Sequence, residues 1–379
     1  MLWTLVLLAL LLTLLGLRGE QARLSFYRQG AKALDGPTPP ATVIVPVKGH
    51  DEGLRENLAS LASLDYPRYE LIVTARSAGD VDSTALPAKA RLVLAGPGDP
   101  STGEKINNLL AAVRAAGTES EVFVFADSDG RVTPQWLRAL VTALHLPGAG
   151  ASTGYRWHLP ARPTAASLLR SVWNAVIAGG MGPGNNRFCW GGAMAIRRET
   201  FFSLNVPAWW HGAVSDDYRL SEAVRAAGLR IAFAPAALVA STDATSMSEF
   251  LSWTRRQLTI TRFYAPPLWR LSVFAHAIYC GAMLAAVKIA TVASLAALAL
   301  QLGIGMYKGW NRIRCARLIL HDHPILFQTF AKLHVLLVPV GTWLWLYSSL
   351  AAGFGNAIRW RGYRLTLRRL PKPAAEPPR

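Results

Sequence analysis

The chain has 379 residues, 51% of them hydrophobic and only 17% charged, with a mean hydropathy of +0.23 and a net charge of +17. An ordinary soluble domain is nearer a quarter charged, so disorder and a fibrous repeat are excluded, and the length allows about two domains. Residues 308–379 hold twelve Lys and Arg against two acids, a placement that suits a membrane-facing tail better than a nucleic-acid groove.

Leu2 to Leu17 carry no charge and are followed by Arg18, Arg23, Arg28 and Lys32. This predicts an N-terminal anchor over residues 1–20; a cleaved signal peptide would carry positive residues ahead of the apolar run. From Ala41 the pattern changes to short β-branched runs separated by helical stretches. Thr42 to Val47 reads as a buried strand, Leu54 to Leu64 as a helix and Glu70 to Ala75 as a second strand. Arg91 to Leu94, a helix near Ile106 to Ala116, and the strand Glu121 to Ala126 follow. Strands alternating with helices of this length predict an α/β domain with a parallel sheet, whose ligands bind beyond the carboxyl ends of the strands.

Asp127-Ser128-Asp129 stands at such an exit. Two carboxylates at this spacing can hold a hard cation, Mg2+ or Mn2+, while leaving positions for phosphate oxygens. No Walker-type lysine loop and no complete G-x-G-x-x-G fingerprint follows a strand, which argues against a nucleoside triphosphatase or a dinucleotide dehydrogenase. Small residues at Gly191-Gly192-Ala193 would let a backbone approach a sugar closely. Ser215-Asp216-Asp217-Tyr218 opens a helical pattern ending at Gly228; its acids serve either as caps or as functional groups. In Trp253-Thr254-Arg255-Arg256-Gln257 two cations are set to hold a diphosphate or to meet anionic lipid. Cys189, Cys280 and Cys315 have no metal-like spacing and fit a reducing compartment.

Two further apolar blocks follow. Leu271 to Met306 is interrupted by Lys288 and reads as two short helices or as one span with an interfacial segment; Leu333 to Phe354 is long enough for one crossing. Lys308 to Lys332 mixes Arg312, Arg314 and Arg317 with apolar residues and suits the headgroup layer, with His321-Asp322-His323 as a solvated turn before Pro324. Placing the Arg-rich stretches after the anchor and after Phe354 on the cytoplasmic side gives an odd number of crossings, most simply three.

Pro46-Val47-Lys48-Gly49, Leu64-Asp65-Tyr66-Pro67-Arg68-Tyr69-Glu70, Lys105-Ile106-Asn107-Asn108-Leu109, Asp127-Ser128-Asp129 and Asp216-Asp217-Tyr218 occur in this order between the apolar ends. In this the chain resembles the ceramide glucosyltransferases, membrane-bound inverting enzymes of the GT-A fold and family-2 type. The resemblance covers about Thr42 to Gln257 and the surrounding topology. It implies a GT-A domain over residues 38–265 with a mixed, mostly parallel sheet, transmembrane and interfacial helices over 266–358, and a basic cytoplasmic tail over 359–379.

That family carries three acidic sites and a Gln/Arg-x-x-Arg-Trp motif. The second acidic site falls on Asp127 and the third, the base, on Asp217. The first falls on Ser77, with Asp80 nearby, and the last motif keeps only Arg256, with Trp253 and Gln257 in place of its flanking residues. The resemblance implies Lys48, Asp80, Lys105 and Asp127 as nucleotide-sugar contacts and Asp127 and Asp129 as metal ligands. It implies Arg256 as an aid to diphosphate departure, with Trp209-Trp210-His211 lining an acceptor entrance or acting as interfacial anchors. The implied reaction moves glucose from a UDP-sugar donor onto the hydroxyl of a lipid, ceramide, with the catalytic domain of an integral membrane protein on the cytoplasmic side. Transfer to a hopanoid, diacylglycerol or polyprenyl phosphate is the alternative within the fold. A non-catalytic transport or scaffold protein with a degenerate sugar-binding domain is the alternative outside it.

Overall fold

The structure, a computed structural model, describes residues 1–32, 34–49, 51–182, 187–360 and 362–373. Arg361 and residues 374–379 of the basic tail, and the side chains of Ile325 and Leu326, lie outside the described residues. Two compact units alternate along the chain. A helical unit takes Met1–Gln29, Trp157–Pro183 and Thr242–Arg359; a sheet unit takes Gly30–Arg156, Gly184–Ser241 and Trp360–Arg379.

After the first helix, α1 (Leu2–Gly30), come β1 (Ala41–Pro46), α2 (Leu54–Ala62), β2 (Tyr69–Ala75), β3 (Ala90–Leu94), α3 (Glu104–Ala115) and β4 (Val122–Ala126). These match the expected strands and helices within a few residues. They continue with α4 (Trp136–Leu144), β5 (Ala149–His158), α5 (Ala165–Ala178), β6 (Ala193–Arg197), α6 (Arg198–Ser203), α7 (Val206–Trp210), α8 (Asp216–Ala226) and β7 (Arg230–Ser241). The seven strands lie in the order β3-β2-β1-β4-β6-β5-β7. β1 pairs in parallel with β2 and β4, and β2 with β3, whereas β6 runs antiparallel to β4 and β5. The sheet is therefore mixed and mostly parallel, as expected.

Thr42, Val43, Ile44 and Val45 are all buried because β1 is central and covered on both faces, which is where β-branched side chains pack best. Phe123 and Phe125, two apart on β4, share one face and pack with Ile44, Ile72, Ile106, Leu109, Trp210 and Leu220. Parallel pairing of β1, β2 and β4 brings their carboxyl ends to one edge. Lys48, the Ser77–Asp80 turn and Asp127–Asp129 leave the sheet there.

The helical unit is completed by α9 (Met247–Tyr264), α10 (Pro266–Ile289), α11 (Val292–Ile319), α12 (Pro324–Leu336) and α13 (Val338–Ala351); β8 (Ala357–Trp360) and β9 (Tyr363–Thr366) close the described fold. α1, α10 and α11 are long and apolar enough to cross a membrane. Their outward faces carry exposed leucines and other large apolar side chains, among them Leu7, Leu11, Leu15, Leu271, Phe274, Leu284 and Leu295. Water would oppose such a surface and lipid would not. Of the two readings of the Leu271 to Met306 block the helix pair is realised, but neither helix is short. The chain turns at Ala290, in the left-handed region at φ 54°, and Thr291 caps the next helix. α11 then runs on through Arg312, Arg314 and Arg317, so the first half of the basic stretch continues this helix. His321 and Asp322 form an exposed turn with their side chains 2.7 Å apart.

Inside this unit Trp173 stacks on Trp345 at 4.2 Å, Trp345 on His276 at 5.2 Å, and Trp253 meets Trp173 edge-on at 5.1 Å. Trp253, at the position where the resemblance calls for Gln or Arg, is thus a packing residue.

Candidate active site

Four carboxylates and two cations meet at the carboxyl edge of the sheet. The Lys105 ammonium, from the first turn of α3, lies 2.9 Å from Asp127 Oδ1 and 3.2 Å from Asp216 Oδ2, and donates to the Gly191 carbonyl at 3.3 Å. The Arg156 guanidinium, from β5, donates to Asp127 Oδ2 at 3.2 Å and grips both oxygens of Asp129, one of them at 2.9 Å. It lies over the Trp190 ring, 5.1 Å from its centroid. Asp217 completes the group: its Oδ2 accepts from the Gly191 amide at 3.3 Å, and its Oδ1 accepts from the Tyr218 amide at 2.8 Å and from the Ser215 hydroxyl.

Local sequence explains much of this. Ser215 is the N-cap of α8, its hydroxyl accepting from the Tyr218 amide, so Asp216 and Asp217 occupy the first turn, where helix amides favour negative charge. The two acids point to different surroundings. Asp216 is 4% exposed, and burial pushes its carboxyl up to about 6, opposed by Lys105 and reinforced by Asp217 and Asp127. Lys105 is held well above its ordinary value by Asp127 and Asp216 against the cost of burial. It stays charged.

The small residues at 191 and 192 have a geometric reason. A Cβ on Gly191 would lie 2.7 Å from Asp216 Oδ2 and 2.8 Å from Lys105 Nζ; one on Gly192 would lie 2.7 Å from Asp127 Oδ2 and 2.3 Å from the Trp190 ring. Only glycine lets this backbone pass so close to the carboxylates. The segment is pinned by Cys189 N to Ser221 Oγ at 2.8 Å and Trp190 N to Thr153 Oγ1 at 2.9 Å.

Lys105, Asp127, Asp129 and Asp217 thus come together. Lys48 lies apart from them, paired with Glu104 at 2.6 Å, next in sequence to Lys105. The Asp80 carboxylate closes its own turn, accepting from the Ser77 hydroxyl at 2.7 Å and amide at 3.1 Å, while its carbonyl accepts from Gly49 N at 2.7 Å. Ser77, at the irregular first acidic position, is therefore the partner of the nearest acid. Arg256 belongs to α9 in the helical unit, where it lines an open recess of about 460 Å³ with Arg170, Asp243, Glu249 and Trp253.

The expected acceptor entrance needs correction at two of its three residues. Trp210 is fully buried against Phe125 and Phe201, its indole donating to the Asp216 carbonyl at 2.9 Å, and Trp209 is 8% exposed beneath the Arg219 guanidinium. Both are core residues, because α7 closes the apolar face of the sheet. Only His211 is well exposed, 3.4 Å from Asp99.

Arg156 escaped the sequence reading. Its one signal is an arginine among otherwise small or aromatic residues in a strand, and its partners lie 27 and 29 residues away. Asp216, next to the residue that the resemblance marks as the base, is the buried partner of Lys105.

The chain is similar to a mannosyltransferase from Pyrobaculum calidifontis solved with GDP-mannose and Mn2+, at 18% identity and a TM-score of 0.45, over 92% of this chain and 97% of that one. It is also similar to the glucosyl-3-phosphoglycerate synthase of Mycobacterium tuberculosis solved with Mn2+ and UDP-glucose, at 18% identity and a TM-score of 0.40, over 63% of this chain and 83% of that one. The family model for glycosyl transferase family 21 matches residues 1–372. With a mixed GT-A sheet, an acidic pair at the exit of β4 and a second at the start of α8, the chain belongs to glycosyl transferase family 21.

Proposed function

We propose that this glycosyltransferase moves glucose from UDP-glucose onto the hydroxyl of a membrane lipid of the ceramide type, with inversion at the anomeric carbon and with Asp217 as the base. The observation that carries the reading is the convergence of Lys105, Asp127, Asp129 and Asp217 around Gly191 and Gly192. An inverting transfer needs a neutralised diphosphate on one side of the anomeric carbon and a proton acceptor for the incoming hydroxyl on the other.

Four carboxylates against two cations leave a formal surplus of two negative charges when all six are charged. A nucleoside diphosphate is itself anionic and would be repelled, so the donor set calls for a divalent cation. Among the described residues no group of three or more His, Cys, Asp or Glu could hold a metal. Asp127 and Asp129 supply two ligands, which fits a hard ion that takes one or two carboxylates and leaves the rest to phosphate oxygens and water. When bound, Mg2+ or Mn2+ would supply charge neutralisation to the leaving diphosphate. Lys105 and Arg156 hold the two aspartates in register, and Asp217, with one oxygen fixed by the Ser215 hydroxyl and the Tyr218 amide, keeps the other toward Gly191.

A lipid acceptor is supported by the helical unit, whose exposed leucine faces suit a bilayer. The described tail folds with the sheet unit, which favours one side of the membrane for both. The chain between β7 and β9 then crosses an even number of times. α10 and α11 supply two crossings, so the α12–α13 pair, bent by 60°, enters and leaves by one face, and α1 brings the total to three. The sheet unit lies on the cytoplasmic side, where nucleotide sugars are made.

The test is turnover of the purified full chain in lipid nanodiscs with a panel of UDP- and GDP-sugars and a fractionated lipid extract. Glucose transfer from UDP-glucose to ceramide supports the reading; transfer only to another lipid class corrects the acceptor. Absence of transfer from every donor, with nucleotide still bound, would favour a sugar-binding role.

A further inference from the structure

The basic tail does not hang free. Leu367 is 1% exposed and Leu370 packs against the sheet-unit core, while Arg368 and Arg369 between them are exposed. The segment therefore lies with one face down. Beneath it is the backbone that leads into Asp217: a Cβ placed on Gly212 would stand 3.6 Å from one methyl of Leu370 and 4.0 Å from the other.

The junction is made by one buried arginine. Arg219, two residues beyond Asp217 on α8, is 3% exposed, and its Nε donates to the Trp209 carbonyl at 2.7 Å. One terminal nitrogen pairs with Glu222, and the other donates to the Pro371 carbonyl at 3.0 Å. A single guanidinium thus joins the end of α7, the second turn of α8 and the tail. The backbone between these anchors carries Asp216 and Asp217, and the Trp210 indole ties it from within. With the tail gone, a buried N–H would lose its partner and the outer wall of the loop its apolar cover.

We infer that residues 367–371 form a strap that sets the position of the first turn of α8, and that Arg219 is a positioning residue for Asp217. The inference rests on the reading of Asp217 as the base. A base displaced by about 1 Å loses on the order of a hundredfold in rate without any change in its chemistry.

The test compares the full chain, a deletion of residues 367–379, and Arg219→Gln, all in nanodiscs. The deletion and Arg219→Gln are expected to lower kcat by roughly 10- to 100-fold with donor KM within about twofold. Backbone hydrogen exchange should speed up over residues 209–219 and not in β1 or β4. A synthetic peptide of residues 360–373 should restore the deletion variant and leave Arg219→Gln unchanged. Normal exchange at residues 209–219, or normal kcat, in the deletion variant overturns the strap; so does faster exchange throughout the sheet with no rescue by peptide, which marks a general stabilising role. If the deletion fails to accumulate, Leu370→Ala and Arg219→Lys in the full chain read the same loop. The exchange measurement does not depend on catalysis, so a fully active Asp217→Asn would remove the base while leaving the strap to be judged on its own.

Discussion

The two units solve opposite problems with the same alphabet. The sheet unit buries its apolar residues between strands and helices and sets its charges at one edge, where six ionised groups lie against each other. The helical unit turns leucines and several aromatic rings outward and stacks Trp173, Trp345 and His276 inside, with the buried Glu20 held by Arg23 and Arg312. Such a surface is compatible with lipid, where apolar exposure costs nothing and helices hold together by stacking and a few paired polar groups. Beside water, burial is the driving force and charge can be spared for chemistry. Substitutions in the first unit should therefore change rates and affinities, and substitutions in the second should change stability.

The largest effect is expected at Asp217. Asp217→Asn keeps the size and, through its one remaining oxygen, the contact with the Tyr218 amide, but it gives up the acceptor toward Gly191 and cannot take a proton, so kcat should fall by roughly 10²–10⁴-fold with little change in donor affinity. If the residue serves only the helix start, single-turnover rates will stay near normal, since Asn suits a helix N-terminus about as well as Asp. In the other unit Trp173→Ala removes a ring between Trp345 and Trp253 and should cost about 3–5 kcal/mol in a detergent unfolding titration, with activity per folded molecule preserved. A loss of rate with intact stability there would break the contrast between the units.

Asp129→Asn should weaken Mn2+ binding by about 10- to 100-fold, read by titration of the ion in the presence of UDP, and excess chelator should abolish turnover. Undiminished turnover in chelator would leave neutralisation to Lys105 and Arg156. The smallest effect concerns pH. The Asp216 carboxyl is raised to about 6 by burial, so as pH falls through that value it becomes neutral and the local negative surplus drops by one. Binding of UDP-glucose, whose diphosphate is esterified at both ends and keeps its charge over this range, measured in chelator, should tighten by roughly three- to tenfold between pH 7 and 5. Asp216→Asn should bind with the tighter value at both pH values; a pH dependence equal to that of the parent chain would assign the titration elsewhere.

Most of the fold was legible because its signals are local. Thr42-Val43-Ile44-Val45 and Val122-Phe123-Val124-Phe125 are buried strands by composition alone, and Asp127-Ser128-Asp129 must leave β4 where it does because a strand ends there. The helix that opens at Asp216 was read from Ser215 and from the glycine at 228, which takes φ +71° after the last turn. Trp209 and Trp210 misled for a physical reason. A tryptophan pair beside a histidine looks the same in sequence whether it faces lipid or a phenylalanine core, and only the packing of α7 against Phe125 and Phe201 chose the core.

By itself the sequence determined the apolar ends, the strand-and-helix order from Ala41 onward, and the carboxylates at the exit of β4 and the start of α8, since each follows from periodicity or from residues within one turn. The tertiary structure decided what those carboxylates face. Arg156 reaches Asp127 and Asp129 only because β6 lies antiparallel between β4 and β5, and Asp216 becomes the buried partner of Lys105 only because α3 and α8 cover the same face of the sheet. The tail was basic in sequence and became a docked segment only through the burial of Leu367 and Leu370 and the reach of Arg219 to Pro371. Charge and hydropathy are properties of a residue and its neighbours in the chain, whereas pairing and burial depend on residues that folding brings from far away.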